Sequence, residues 1–315
     1  MFSGQGSQYF QMGRELYENH ARFKMWMDYC DEIVEPLLDC SLIDVIYDDA
    51  YTKATPFDDI RFTNPAIVAI EYSLSRILNE MGLKPDYLLG YSLGEYTASV
   101  ISGALSIEEA LEFVVEYAHI LATKTPISGM MAVIDSPSIV TQNPAWFDKV
   151  WVSGINFDKH FVVSGLAADV DELEAKLKAE GVMCQQLAVK YGFHTGLIDV
   201  AEQDFADIAA GLGGFEPQIP TYSGLKASLV DKVDADYLWQ VTRQRVDFHK
   251  VVKVILAEVK AQYGHGATFI DVGPSGTLST FVRYILTPDD DSEYIEVMNQ
   301  FGNDTQTLEK LRQKL

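Results

Sequence analysis

"LLGYSLGEYTAS", residues Leu88–Ser99, decides the fold. A short apolar strand, Tyr87 to Leu89, runs into Gly90-Tyr91-Ser92-Leu93-Gly94, which fits G-x-S-x-G, and a helix follows from about Gly94. That pattern is a strained strand-to-helix turn that exposes a serine Oγ. The backbone N–H of the next residue, Leu93, and the helix N-terminus then face the substrate oxyanion. Ser92 is therefore a candidate nucleophile, although small residues around a serine also arise in ordinary strand-to-helix turns. Upstream, "NPAIVAIEYSLSRILNEMG" carries Ile67, Ile70, Leu74, Ile77 and Leu78 at helical spacing and closes at Gly82. Downstream, "SIEEALEFVVEYAHILATK" is a second helix, with Ser106 as N-cap and Glu109 completing a capping box. Helix, strand, turn and helix make an α/β pattern.

The pattern changes between residues 127 and 189. "GMMAVI", "KVWVSGIN" and "HFVVSG" read as strands, "DVDELEAKLKAEG" as an amphipathic helix and "VMCQQLAV" as a further strand. This suggests a small α+β unit of ferredoxin-like type inserted in the larger domain. "TFIDVGPSGTLSTFVRYIL" then returns to strand, Gly-rich turn and helix. The expected organisation is a large α/β domain over 1–126 and 190–315, with a small domain over 127–189.

The 315 residues are 48% hydrophobic and 22% charged, with a net charge of −22, a surface that disfavours nucleic acid and anionic membranes. No apolar run reaches the roughly 18 residues of a membrane span. "MFSGQGSQ" is not a signal peptide; it reads as the end of a strand before a Gly-rich turn, so a few residues are expected upstream. Three cysteines at irregular spacing fit a reducing, cytoplasmic setting, and no Cys/His cluster has metal-ligand spacing, so no metal is expected.

A nucleophilic serine needs a base. Of six histidines, His20, His119, His160, His249 and His265 have no special neighbours. His194, in "VKYGFHTGLID", lies where the chain re-enters the large domain, and sites form at such junctions. Gln5, in "SGQGSQ", carries a side-chain amide able to donate to an oxyanion.

Four segments in this order, "FSGQGSQYFQMGRELY", "GYSLGEYTA", "YGFHTGLID" and "FIDVGPSGTL", resemble the malonyl-CoA:acyl-carrier-protein transacylase family, the acyltransferases of fatty-acid and polyketide synthases. The resemblance spans essentially the whole chain. It implies an α/β-hydrolase-like large domain with an inserted ferredoxin-like small domain and a site between them. Ser92 would be the nucleophile, His194 the base, and Gln5 with the Leu93 amide the oxyanion hole. A backbone carbonyl from about Val241 would orient the histidine.

Departures from the family pattern bear on substrate. Malonyl-loading members keep an arginine that pairs with the malonate carboxylate. Counting without gaps from Ser92, that place falls on Tyr117, and 106–126 contains no arginine. Unless another arginine reaches in, a malonyl carboxylate would be buried unpaired, so malonyl is not the expected acyl group. Tyr91 replaces the usual histidine before the nucleophile, and Asn64-Pro65-Ala66 replaces Gln-Pro-Ala; both are expected in the pocket lining. A Ser–His dyad without the arginine is similar to the acyl hydrolases of trans-acyltransferase polyketide pathways. The resemblance then implies removal of stalled acyl groups from an acyl carrier protein, with the acyl group on phosphopantetheine and no cofactor. The alternatives are transfer of a neutral acyl group to a second thiol, or a non-catalytic carrier-docking module. "TRQRVDFHKVVK", with Arg243, Arg245, Lys250 and Lys253, is the candidate docking patch on an otherwise acidic chain.

Overall fold

The Ser92 turn follows strand β1 (Leu88–Gly90), every residue of which is buried. After it come β2 (Ser128–Val133), β3 (Val150–Phe157), β4 (His160–Leu166), β5 (Cys184–Gln186), β6 (Thr221–Ser223), β7 (Ser228–Leu229), β8 (Val246–Asp247), β9 (Thr268–Asp271) and β10 (Glu293–Glu296). The computed structural model describes residues 1–314.

β1 pairs in parallel with β6, Leu89 opposite Tyr222, and β7 adds antiparallel beyond it. On its other edge β1 meets the start of the chain: the Phe2 N–H donates to the Leu89 carbonyl at 2.9 Å. Met1 joins the same segment to β9, its carbonyl accepting from the Val272 N–H at 3.0 Å, and β9 pairs in parallel with β10. Met1–Phe2 thus bridges two short sheets into the order β10, β9, Met1–Phe2, β1, β6, β7. Helices Ala21–Leu38, Ile60–Glu80 and Ile107–Lys124 pack into one apolar core beside this sheet.

The helix carrying Ile67, Ile70, Leu74, Ile77 and Leu78 buries all five. It begins at Ile60, four residues ahead of the expected Asn64, because the Asp59 side chain accepts from the Arg61 N–H and caps it. The extra turn brings Thr63 and Asn64 into a helix that faces the site. The Ser106–Glu109 capping box is present.

Between 128 and 186 the chain runs β2, helix Ser138–Gln142, β3, β4, helix Ala167–Ala179 and β5. The strands lie in the order β5-β2-β4-β3, all neighbours antiparallel. That is the ferredoxin-like arrangement. Three details differ from the sequence reading. Helix Ser138–Gln142 between β2 and β3 was not read. β5 is three residues long, because after Leu187 bonds the Met130 carbonyl the Val189 N–H turns back to the Leu187 carbonyl and the chain leaves the sheet. β8, distant in sequence, adds in parallel to β3. The fold is a large α/β unit with a small antiparallel sheet inserted.

Candidate active site

The elbow is built by close backbone approach. A Cβ on Gly94 would overlap the Phe2 carbonyl, and one on Gly90 would overlap the Glu95 backbone. A Cβ on Gly4 would lie 2.7 Å from the Tyr91 carbonyl oxygen and 3.0 Å from Ser92 Cβ. Ser92 takes φ +54°, a left-handed conformation that costs a serine about 1–3 kcal/mol and persists only when its surroundings enforce it. Glu71 helps enforce it. Fully buried, it accepts from the Ser3 N–H at 2.5 Å, the Ser3 hydroxyl at 2.9 Å and Thr97 Oγ1 at 2.9 Å. It thereby ties the Gln5 turn to the helix that follows Ser92, Gly94–Ile101.

Ser92 Oγ lies 2.8 Å from His194 Nε2. His194 also has a left-handed backbone, φ +62°, fixed by its N–H donating to the Thr242 carbonyl at 3.0 Å. Its Nδ1 is 2.7 Å from the Gln244 carbonyl oxygen. A carbonyl can only accept, so Nδ1 carries the proton and Nε2 is free to accept from Ser92. Burial lowers the imidazole pKa from 6.5 to about 4, against an opposing contribution from the Gln244 hydrogen bond. The ring is therefore neutral at pH 7. The orienting carbonyl comes from Gln244 and not from the neighbourhood of Val241; it lies just past the end of helix Ala235–Arg243, where carbonyls lack helical partners.

The cleft around Ser92 is narrow, with about 260 Å³ of empty space. Of the residues singled out in the sequence, Gln5, Asn64, Ser92, Leu93 and Tyr117 line it. Tyr91 does not. Its ring packs against Phe248 and Phe281, and its hydroxyl donates to Asn156 Oδ1 on β3 at 2.9 Å, so it braces the elbow against the small sheet. Tyr96, Phe193 and Thr242 complete the lining. Phe193 sits beside His194 in sequence and Tyr96 three residues after Leu93, but Thr242 had no local signal.

Gln5 contributes differently from the sequence expectation. Its side-chain amide donates to Thr63 Oγ1 at 2.9 Å and to Asn64 Oδ1. Both amide protons are engaged, so what Gln5 offers an oxyanion is its main-chain N–H. That N–H and the Leu93 N–H have no partner among the described residues. Leu93 stands at the N-terminus of helix Gly94–Ile101, whose dipole favours negative charge there.

No lysine or arginine lines the cleft among the described residues. Arg243, next to Thr242, is turned onto Asp199, and Lys124 onto Asp204 at 2.5 Å. Tyr117 is 2% exposed and remains a neutral phenol, its pKa pushed up by burial.

The acyl transferase domain family matches residues 1–315. Polyketide biosynthesis acyltransferase homolog PksD of Bacillus subtilis is 34% identical over 308 residues, 98% of this chain and 93% of that protein. The homolog BaeD of Bacillus velezensis is 32% identical over 315 residues, all of this chain and 95% of that one. Among solved structures, MCAT from Streptococcus pneumoniae superposes with a TM-score of 0.79 at 29% identity, covering 100% of this chain and 98% of that one. The chain belongs to the acyl transferase domain family.

Proposed function

We propose that this chain hydrolyses acyl thioesters carried by acyl carrier proteins of polyketide assembly, through an acyl-Ser92 intermediate, and that it takes neutral acyl groups. The observation that carries the reading is a preorganised Ser92–His194 pair, 2.8 Å apart, in a cleft lined by no cation. His194 Nε2 accepts the Ser92 proton as Oγ bonds the thioester carbon. The Leu93 and Gln5 main-chain N–H groups hold the oxyanion. The C–S bond breaks, and the pantetheine sulfur takes the proton from His194. Water then gives His194 a proton as its oxygen attacks the ester, and Ser92 leaves with that proton, releasing the free acid.

A malonyl carboxylate in this cleft would face only neutral groups. Burying it unpaired costs several kcal/mol, which supports the preference for neutral acyl chains. The acyltransferase names of the 34% and 32% identical relatives favour a second reading, in which a second carrier thiol takes the acyl group from Ser92. Cleft geometry that pairs serine with a neutral imidazole counts against a non-catalytic docking role.

A carrier protein is the partner this chemistry requires. Arg245 is exposed next to Gln244, whose carbonyl orients His194, and Lys250 and Lys253 are exposed on the helix Phe248–Tyr263 that follows. Among the described residues Lys250 and Lys253 have no acidic partner, and the Arg245–Asp247 separation is 4.0 Å. The three are the cations of this segment offered to an acidic carrier by a chain of net charge −22.

The test is incubation with acetyl- and malonyl-loaded carrier protein, with and without an empty second carrier. Mass spectrometry follows free acid, both carriers and acyl-Ser92, with Ser92→Ala as control. Ser92-dependent release of acetate with malonyl spared is the expected outcome. Discharge only onto the second carrier would establish transfer instead, and efficient malonyl loading would overturn the neutral-acyl reading.

A further inference from the structure

Two polar atoms in the cleft have no hydrogen-bond partner within the protein: Asn64 Nδ2 and the Tyr117 hydroxyl. Asn64 is 1% and Tyr117 2% exposed, and both line the space in front of Ser92. Asn64 Oδ1 accepts from the Gln5 amide, which leaves Nδ2 as a donor. The Thr242 hydroxyl nearby donates to the Leu238 carbonyl at 3.3 Å and meets the Tyr96 hydroxyl at 3.2 Å; it slightly offsets the rise in the Tyr117 pKa but makes no hydrogen bond of normal geometry with the Tyr117 hydroxyl. Buried polar groups are normally satisfied, and leaving one bare carries its full desolvation penalty. A slot for plain alkyl chains needs neither group, since a phenylalanine at 117 would fill the same volume without the hydroxyl.

We propose that Tyr117 and Asn64 form an oxygen-reading subsite, and that the preferred acyl group is a short oxo- or hydroxyacyl chain. The inference rests on the reading that Ser92 is acylated. With the thioester carbonyl oxygen held by the Leu93 and Gln5 N–H groups, a second oxygen on C2 or C3 of the acyl chain meets the two orphan groups. A ketone oxygen accepts from Asn64 Nδ2 and from the Tyr117 hydroxyl through its two lone pairs. A hydroxyl accepts from Asn64 and donates to the Tyr117 oxygen. A carboxylate could accept from the same two donors but would bring a full charge into a cleft that no lysine or arginine lines among the described residues. Sites built to hydrogen-bond a substrate oxygen discriminate strongly against analogues that lack it, because their polar groups are then left unpaired.

The experiment compares butyryl, 2-hydroxybutyryl, 3-oxobutyryl and both 3-hydroxybutyryl enantiomers as pantetheine thioesters with the full chain. Acyl-Ser92 formation is followed by rapid-quench mass spectrometry and free acid is measured in parallel. At least one oxygenated substrate is expected to exceed butyryl in acylation kcat/KM by about tenfold or more. Tyr117→Phe is expected to lower that ratio at least about fivefold. Butyryl equal to or better than every oxygenated analogue in the unaltered protein would overturn the proposal without recourse to a variant. An equal slowing of all substrates in Tyr117→Phe would make the tyrosine merely structural and overturn it as well. The two readings separate cleanly. Selective acylation without free acid would sink hydrolysis and leave the subsite standing, unselective acylation with free acid would do the reverse, and no acylation by any substrate would sink both.

Discussion

His194 owes its chemistry to two contacts and to burial. Because burial lowers its pKa to about 4, the ring stays an available base far below the 6.5 of a free imidazole. The acid limb of Ser92 acylation, measured by pH-jump rapid quench with a pantetheine thioester, is expected near pH 4. A limb near 6.5 would show that the ring is solvated in the working enzyme. Ser92→Ala and His194→Ala should each lose about 10³-fold or more in cleavage of a pantetheine thioester, read as thiol release, and the double variant should be no worse than the poorer single one, since the two side chains act as a unit. The Ser92–His194 pair was legible in the sequence because a serine in G-x-S-x-G and a histidine at the domain junction are particular side chains in recognisable surroundings. The Gln244 carbonyl was not, since every residue carries a carbonyl and only the end of helix Ala235–Arg243 determines which one points at Nδ1. Tyr91 was misplaced for a related reason: adjacency to Ser92 in sequence says nothing about which way its ring turns, and here it turns to Phe248 and Phe281.

The strand-elbow-helix unit depends on glycines that permit contact between backbones. Gly94→Ala would drive a methyl group into the Phe2 carbonyl, and such overpacking typically costs about 1–3 kcal/mol, with loss of Ser92 acylation expected alongside. Gly211→Ala, where an added Cβ meets nothing within 4 Å, serves as the control and should stay within about 0.5 kcal/mol. Urea denaturation of both proteins checks the pair, and equal stability would contradict the close approach described here. β1 was found from sequence because a Gly-flanked turn announces it, and β2 to β5 because apolar strands alternate with an amphipathic helix. β6 and β8 passed unnoticed. They are three and two residues long, and what makes them strands is a partner far away in the chain, Leu88–Gly90 for β6 and Gly154–Ile155 for β8. Pairing of that kind leaves no periodicity to read.

Charge and titration act on the molecule as a unit. With −22 overall and an acidic carrier as the proposed partner, encounter depends on the exposed cations Arg245, Lys250 and Lys253. The Arg245→Glu/Lys250→Glu double variant should lower kcat/KM for an acyl carrier protein about tenfold relative to a pantetheine thioester, and added salt should shrink that deficit. An unchanged ratio would move the docking surface elsewhere. Buried carboxyls shape stability in the opposite sense from His194. Burial raises Glu71 from 4.5 to about 8 and Glu95 from 4.5 to about 7. Each is protonated in the folded state where the unfolded chain would ionise, so their contribution is complete below pH 4.5 and is lost as pH rises through 7 to 8. Glu71→Gln should therefore flatten the fall in Tm between pH 5 and pH 8, and an unaltered slope would show that Glu71 is ionised in the native protein.

The Met1–Phe2 bridge sets an order of assembly. Its two edges belong to segments made at very different times: β1 follows within the first hundred residues, whereas Ile270, to which the Met1 nitrogen donates, lies 269 positions away. Contacts that span most of a chain form late, because the intervening loop must close first. The helices and the Ser92 turn have near neighbours to fold against, but the bridge, and with it the Gln5 turn three residues along, gains its second edge only once β9 has been synthesised. In a nascent or C-terminally shortened chain the Gln5 turn would then be held by β1 and Glu71 alone, with one sheet edge still open.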